Sequence, residues 1–262
     1  MNLNVSYGEK IILNGVDIEI NPGEFTVLLG LNGAGKTTLL KSIAGLNKID
    51  YGEIKYGETD LISLSDKERG KLISYIPQHI HTNQNYSVED IILMGITPYL
   101  GVFEMPNKDY YRFVDEILNE LNISHLKNKF IGELSGGERR LVYLGRILIQ
   151  KCSILLLDEP NTFLDYVKQH DFLNFIKRLI IRKNLVTLVT LHDINLALRY
   201  GDRIVVLSDS KIVDSIDCRE KGYEKKIIRI MEDIYERKLE IAYTEVGRSE
   251  EHTSELQSPV RS

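Results

Sequence analysis

The chain has 262 residues, of which 43% are hydrophobic, so it can bury a substantial core in one domain. Its formal net charge of −5 gives no general reason to expect nucleic acid among its partners. The longest apolar runs have the length of strands, which predicts no membrane span, and no charged-then-apolar leader opens the chain. The two cysteines, Cys152 and Cys218, have no paired spacing and indicate a cytoplasmic protein without a disulfide framework.

The N-terminal part predicts a small antiparallel sheet. Residues 1 to about 29, with 51–56, alternate polar and apolar side chains as half-exposed strands do. The turn at 21–24 contains proline and glycine and leads into an apolar run at 25–29, which predicts a buried core strand.

A glycine-rich phosphate-binding loop follows this strand. Residues 30–37 read G-L-N-G-A-G-K-T, and a helix is predicted over 38–44, so bound phosphate would lie at a helix N-terminus. Lys36 is predicted to reach the outer phosphates, and the hydroxyl of Thr37 is predicted to bind Mg²⁺. The residues predicted to hold the nucleotide are Gly30, Asn32, Gly33, Ala34, Gly35, Lys36, Thr37 and Thr38.

A second apolar run, 154–157, ends at Asp158 and Glu159. It predicts a central parallel strand, buried on both faces, whose carboxyl end lies beside the phosphate loop. Asp158 would then hold Mg²⁺, and Glu159 would polarise the attacking water as a general base. The alternative is a strand that ends in an acidic turn without chemistry, which the loop at 30–37 disfavours.

Helices are predicted between these two motifs, in the segment from about 79 to 134. One begins at the N-cap Ser87, and another extends over 109–121. After this segment the chain alternates strands and helices, as a parallel sheet requires.

Ser135, Gly136 and Gly137 open a helix that is predicted to end near residue 150. A serine N-cap followed by two glycines leaves free backbone N–H groups at the positive end of the helix dipole, which predicts a second anion site. Glycine at position 145, in the middle of this helix, should cost roughly 0.5–1 kcal/mol relative to alanine.

With the loop at 30–37 and the phrase L-S-G-G-E at 134–138, the chain resembles the nucleotide-binding subunit of ATP-binding-cassette (ABC) transporters, from about Leu3 to about Leu207. The resemblance implies an α/β fold with a P-loop NTPase (RecA-like) core. It also implies a small antiparallel β subdomain and a helical subdomain at about 79–134, all within one domain over 1–247. ATP, Mg²⁺ and the reaction ATP + H₂O → ADP + phosphate follow from it.

Further roles rest on the resemblance. Gln78 matches the glutamine that meets Mg²⁺ and the attacking water, and His192 matches the switch histidine that contacts the γ-phosphate. Tyr7 matches the aromatic residue that stacks on adenine, with a half-buried strand tyrosine as the alternative. The predicted catalytic residues are Glu159, His192, Gln78 and Asp158, and the predicted metal ligands are Thr37, Gln78 and Asp158.

The second anion site implies a dimer. In ABC proteins the L-S-G-G-E segment, here with Ser135, Gly136 and Gly137, covers the ATP held by a partner subunit, and Asp165 matches the aspartate loop that crosses the interface. The expected working unit is a head-to-tail homodimer with two ATP molecules between its subunits.

Two segments, 87–101 and 191–202, are similar to those of importers for ferric siderophores, haem and cobalamin. That group combines two such ATPases with two polytopic permease subunits and a separate substrate-binding protein. A peripheral location at the cytoplasmic face of the membrane is therefore implied. An ABC ATPase of another transporter class and a non-transport cassette, for example in iron–sulfur assembly or DNA repair, are the alternatives, and the phrase at 95–101 argues against the second.

The same helical segment contains apolar residues that would form a groove for a permease helix, or else would pack as the core face of an amphipathic helix. These residues are Met94, Tyr99, Leu100 and Phe103. His79 and His81 alternate in sequence, but two nitrogen ligands do not make a closed metal site, so a solvated loop is predicted there.

Both ends of the chain are unusual for the family. Met1 stands where family members have the first half of a strand, so an internal start of the natural gene is expected. Residues 248–258 match, codon by codon, the translation of a common sequencing adapter. Residues 248–262 are therefore predicted to be an artefact tail without ordered structure.

Overall fold

A computed structural model describes residues 2–78, 85–101, 103–162 and 164–239, together with the backbone of 241–242 and 255–256. In chain order the strands are β1 (Leu3–Tyr7), β2 (Lys10–Val16), β3 (Phe25–Leu29), β4 (Lys55–Tyr56), β5 (Thr59–Asp60), β6 (Ile73–Ile76), β7 (Ile154–Asp158), β8 (Val186–Thr190), β9 (Arg203–Ser208), β10 (Lys211–Asp217), β11 (Ile241–Ala242) and β12 (Glu255–Leu256). The α-helices are α1 (Lys36–Ile43), α2 (Asp66–Leu72), α3 (Val88–Leu93), α4 (Lys108–Glu120), α5 (Gly136–Gln150), α6 (Tyr166–Lys183), α7 (Ile194–Tyr200) and α8 (Tyr223–Tyr235).

Six strands form the main sheet, in the spatial order β10–β9–β3–β8–β7–β6. The strands from β9 to β6 run parallel, and β10 pairs antiparallel with β9 at one edge. The carboxyl ends of β3, β8, β7 and β6 therefore lie at one edge of the sheet, where α/β proteins bind their ligands. This topology confirms the predicted α/β class.

Apolar runs explain why β3 and β7 occupy the middle of the sheet. Every residue of both strands is buried, as expected for parallel strands covered on both faces. Leu155 and Leu157 belong to a core cluster shared with the helices from α3 to α8, whereas Leu156 belongs to a second cluster shared with β1, β2 and α1. The sheet thus separates two hydrophobic layers.

The small N-terminal sheet differs from its prediction. Strands β1 and β2 form one antiparallel pair and β4 and β5 form another, while residues 25–29 belong to the main sheet. The first pair also contacts the segment before β4 through backbone hydrogen bonds, among them the bond from Asn4 N to Tyr51 O at 2.8 Å. Strands β4 and β5 have only two residues each, and the turn between them contains Gly57, whose φ is 55°.

The predicted helices of the intervening segment are present as α3 and α4. Ser87 and Asp90 form a reciprocal capping box at the start of α3, and the Asn107 side chain caps α4. The described part of the segment also contains short 3-10 helices at Met94–Tyr99, Ser124–Leu126 and Ile131–Glu133. His79 and His81 lie outside the described residues.

The packing around α5 explains the glycine at position 145, which the sequence alone did not explain. A Cβ atom at this position would lie 3.0 Å from Cδ1 of Ile92 on α3 and 3.2 Å from Cγ2 of Ile117 on α4. The glycine lets α5 approach both helices closely, so the expected advantage of alanine is opposed by crowding.

Of the predicted artefact tail, only β12 is described, as a two-residue strand paired antiparallel with β11. At these two positions the backbone departs from the predicted lack of ordered structure, because each segment supplies hydrogen-bond partners for the other. The rest of 248–262 lies outside the described residues. Among the residues described, no helix is both long and apolar enough to cross a membrane.

Candidate active site at the carboxyl edge of the sheet

The phosphate loop 30–37 follows β3, and its backbone conformation requires glycine at two positions. Gly30 has a φ of 155° and Gly35 a φ of 106°. A Cβ atom on Gly30 would collide with the carbonyl oxygen of Leu207, and one on Gly35 would lie 3.0 Å from that of Ile12. The close approach of neighbouring backbone therefore excludes a side chain at both positions.

Lys36 is the first residue of α1 and is only 6% exposed. Its Nζ donates hydrogen bonds to the carbonyl oxygens of Gly30, at 2.7 Å, and Leu31, at 3.0 Å. Burial lowers the pKa of Lys36, and the carboxylates of Glu159 and Asp158 act in the opposite direction. The ammonium group thus links the loop electrostatically to the acidic end of β7.

Asp158 is the last residue of β7 and is 2% exposed. One carboxylate oxygen accepts a hydrogen bond from Thr190 Oγ1 at 2.8 Å, and the other accepts from the Tyr75 hydroxyl at 3.4 Å. Burial and the neighbouring Asp158 raise the pKa of Tyr75 well above its usual value. Thr190 also accepts a hydrogen bond from the backbone N–H of Glu159 at 2.8 Å.

The predicted catalytic side chains meet beside Asp158. Gln78 Nε2 donates a hydrogen bond to Glu159 Oε2 at 2.6 Å, and Nδ1 of His192 lies 3.9 Å from the same oxygen. Glu159 has a φ of 45°, in the left-handed region, which turns the chain sharply after Asp158. The ends of β6, β7 and β8 therefore bring together groups that are distant in sequence.

A cleft of about 780 Å³ lies over this arrangement. The predicted site residues that line it are Asn32, Gly33, Gly35, Lys36, Thr37, Thr38, Gln78, Glu159 and His192. Three further residues that line the cleft were not predicted from the sequence: Lys10, Ile12 and Thr162. Gly30, Ala34 and the buried Asp158 are not among the residues that line this cleft.

The donors at this cleft suit Mg²⁺. Thr37 offers a hydroxyl, Gln78 an amide carbonyl and Asp158 a carboxylate, and all three are the hard oxygen ligands that Mg²⁺ prefers. Within the described ranges no group of three or more His, Cys, Asp or Glu side chains could hold a metal ion by itself. A site with few carboxylates fits an ion that completes its coordination with water and substrate phosphates.

Ser135 and Gly137 line a different cleft, of about 410 Å³, between α4, α5 and α6. Ser135 forms a capping box with Glu138: its Oγ accepts from Glu138 N at 3.3 Å, and the carboxylate accepts from Ser135 N at 2.8 Å. These hydrogen bonds lower the pKa of Glu138. The two predicted anion sites therefore do not share a cleft within one chain.

Tyr7 and Asp165 lie outside both clefts. Tyr7 ends β1 and is 53% exposed. Asp165 caps α6 by accepting from Lys168 N at 2.9 Å, and it forms an ion pair with Lys168 Nζ at 3.2 Å. Both side chains face solvent, and their predicted nucleotide contacts remain predictions.

Arg140 is a connecting residue that the sequence did not identify. It is 6% exposed on α5, and its Nε donates to the carbonyl oxygen of Thr162 at 2.9 Å. Burial lowers the pKa of Arg140 to about 10. Thr162 lines the cleft of about 780 Å³. This bond therefore joins α5, whose N-cap is Ser135, to the loop that follows Glu159.

Comparison with known proteins shows which family this chain is similar to. The sequence model of the ABC transporter family matches residues 13–162. A probable iron chelatin transport ATP-binding protein of Helicobacter pylori is 39% identical over 212 residues, which cover 80% of this chain and 83% of that protein. The hemin import ATP-binding protein HmuV of Shewanella denitrificans is 35% identical over 216 residues, 80% and 84% of the two chains. A dimeric ATP-binding cassette in a post-hydrolysis state with ADP and phosphate superposes with a TM-score of 0.73 at 28% identity, covering 83% of this chain and 96% of the cassette.

Proposed function

Because this chain belongs to the ABC transporter family, we propose that it is the ATPase subunit of an importer for an iron–siderophore complex, haem or cobalamin. The chain hydrolyses ATP to ADP and phosphate, coupled to transport, as the family does. One observation supports this class of transported substrate: over 80% of its length, the chain is similar to ATP-binding proteins of iron chelatin and hemin transport.

The geometry supports a separate role for each group of residues at the cleft. The backbone N–H groups of the loop and Lys36 bind the phosphates, and Glu159 accepts the proton of the attacking water. His192, whose Nδ1 lies 3.9 Å from the Glu159 carboxylate, contacts the γ-phosphate. Thr37, Gln78 and Asp158 would hold Mg²⁺, which when bound neutralises charge on the phosphate oxygens.

The complete catalytic unit is a homodimer in this proposal. The helix that begins at Ser135 presents its N-terminus at a cleft separate from the phosphate loop, and Ser135 and Gly136 are exposed there. In a head-to-tail dimer these N–H groups contact the phosphates bound by the partner, and Asp165 crosses the interface. Tyr7 stacks on the adenine ring.

A permease helix would dock in a cleft of about 790 Å³ between α2, the 3-10 helix at 94–99 and α5. Met94 and Leu46 line this cleft, and Leu46 is 62% exposed. Phe103, which follows the 3-10 helix in the chain, is 98% exposed. The hydroxyl of Tyr99 donates a hydrogen bond at 2.7 Å to the backbone oxygen of Gln150, a residue that lines the cleft. Two permease subunits would bind the ATPase dimer peripherally at the cytoplasmic face of the membrane, with a substrate-binding protein on the other side.

Uptake measurements test the proposal. A strain that lacks this gene is complemented with the wild type, with Glu159→Gln or with Glu58→Gln, a control in the exposed β4–β5 turn. Uptake of an iron–siderophore, haem and cobalamin is then measured separately. The wild type and the control should restore uptake of one cargo, and Glu159→Gln should not. Unchanged uptake of all three cargoes in the deletion strain, with ATPase activity intact in the purified protein, would contradict metal-chelate import.

A further inference from the structure

The side chain of Thr190 lies between the two acidic residues of the cleft. We propose that Thr190 is a positioning residue that fixes both Asp158 and Glu159 in the orientation used for ATP hydrolysis. This inference rests on the roles proposed above for those two carboxylates. It adds a fully buried residue that does not line the cleft.

One hydroxyl group makes both contacts. Thr190 Oγ1 donates its hydrogen to a carboxylate oxygen of Asp158 at 2.8 Å and accepts the backbone N–H of Glu159 at 2.8 Å. Asp158 and Thr190 are paired residues at the ends of the neighbouring strands β7 and β8. The register of the sheet therefore places the hydroxyl at the junction of the two acidic residues, and its single donor is fully used.

The backbone contact matters because Glu159 is in an unfavourable conformation. Its φ of 45° is uncommon for a residue with a side chain, and such residues persist where their surroundings hold them. The bond from its N–H to Thr190 holds the peptide that follows Asp158. This turn directs the Glu159 carboxylate to Gln78, whose Nε2 lies at 2.6 Å.

The side-chain contact matters for the metal ligand. Among the described residues, the other hydrogen-bond donor to the Asp158 carboxylate is the Tyr75 hydroxyl, at the longer distance of 3.4 Å. Thr190 therefore supplies the shorter of the two bonds and sets the rotation of the carboxylate. A partner of this kind behind a metal ligand typically changes metal affinity or activity by about 10–100-fold when it is removed.

Comparison with Thr187 separates this role from ordinary burial. Both threonines lie on β8 and both are 0% exposed. The Thr187 hydroxyl has no hydrogen-bond partner among the described residues, whereas the Thr190 hydroxyl has two. A buried threonine on this strand thus does not require hydrogen bonds for the fold, and Thr187 provides a matched control.

The test compares Thr190→Val, which keeps the shape and removes the hydroxyl, with Thr190→Ser, which keeps the hydroxyl, and with Thr187→Val. Mn²⁺ binding in the presence of a non-hydrolysable ATP analogue is measured by electron paramagnetic resonance, and kcat and urea unfolding are measured in parallel. Thr190→Val should lose about 10–100-fold in Mn²⁺ affinity and in kcat. Thr190→Ser should retain both, and Thr187→Val should not change either.

Wild-type Mn²⁺ affinity and kcat in Thr190→Val would overturn the proposal. Equal losses in Thr190→Val and Thr187→Val would also overturn it, since burial alone would then explain them. If valine prevents folding at position 190, Thr190→Ser and Thr190→Ala differ by the hydroxyl alone and give the same comparison. A failure of Glu159→Gln to affect hydrolysis would instead refute the proposed base, because the Mn²⁺ measurement reports on Asp158 independently.

Discussion

Replacing Glu159 by glutamine tests the chemical step most directly. The substitution preserves the size of a side chain that is 15% exposed, and the new amide oxygen can still accept the hydrogen bond that Gln78 Nε2 now donates at 2.6 Å. What it removes is the negative charge and the basicity of the carboxylate. The local structure should therefore survive, and the change isolates proton acceptance from positioning.

A positioned general base typically contributes a factor of about 10²–10⁴, or about 3–5 kcal/mol of transition-state stabilisation. We expect kcat of Glu159→Gln to fall by this factor. ATP binding should be retained, because the carboxylate lies near the phosphate loop and its charge opposes that of the phosphates. Its electrostatic effect on the pKa of Lys36 indicates this proximity. Slow hydrolysis with intact binding should trap a dimer with ATP between its subunits.

The assay has three readouts: phosphate release at saturating ATP, ATP affinity at equilibrium, and size-exclusion chromatography with ATP and Mg²⁺. Glu58→Gln removes the same charge from the exposed β4–β5 turn and should match the wild type in all three. Near-wild-type turnover of Glu159→Gln without a trapped dimer would remove Glu159 from the role of base. Loss of ATP binding would show that its charge is needed for binding instead.

Three other changes test separate parts of the chain. Lys36→Ala removes a charge-assisted contact worth about 1.5–3 kcal/mol and should weaken ATP binding by the monomer, measured by titration calorimetry. Ser135→Arg should leave monomer binding intact but prevent ATP-dependent dimerisation and hydrolysis, and an equal loss of monomer affinity in both variants would contradict two separate phosphate sites. Deleting the residues after Gly247 should change the free energy of unfolding by no more than about 0.5 kcal/mol, and a loss of several kcal/mol in urea denaturation would contradict the artefact interpretation.

The site residues that could be predicted from sequence lie in short motifs, in which neighbouring residues determine both the backbone conformation and the chemistry. The loop at 30–37 and the strand that ends at Asp158 each combine backbone conformation and function within a few residues. Thr190 and Tyr75 could not be found in this way, because they meet Asp158 across 32 and 83 residues of chain. Only the register of β6, β7 and β8 brings them together, and register is a property of the assembled sheet.

The same difference between local and long-range interactions separates the parts of the fold that could be predicted from those that could not. Continuous apolar runs predicted the central strands correctly, because burial on both faces leaves a pattern in the sequence itself. Alternation of polar and apolar residues does not show which strands pair, so the sequence did not reveal that the predicted small sheet consists of the separate pairs β1–β2 and β4–β5. Lys10 and Ile12 reach the nucleotide cleft from β2, a placement that follows from packing between the two layers.

Gly145 is a position where local propensity and packing oppose each other, and Gly145→Ala measures which prevails. Alanine gains about 0.5–1 kcal/mol of helix stability, but its Cβ would lie 3.0 Å from Cδ1 of the fully buried Ile92, and crowding in a packed core costs about 1–3 kcal/mol. We therefore expect net destabilisation of about 1 kcal/mol in urea unfolding. Ile92→Val removes the crowded Cδ1 atom, so in the Gly145→Ala background it should cost less than in the wild type, with a coupling energy of at least about 0.5 kcal/mol. A more stable Gly145→Ala protein would mean that propensity decides at this position, and additive effects would mean that Cδ1 of Ile92 is not the atom that crowds the new methyl group.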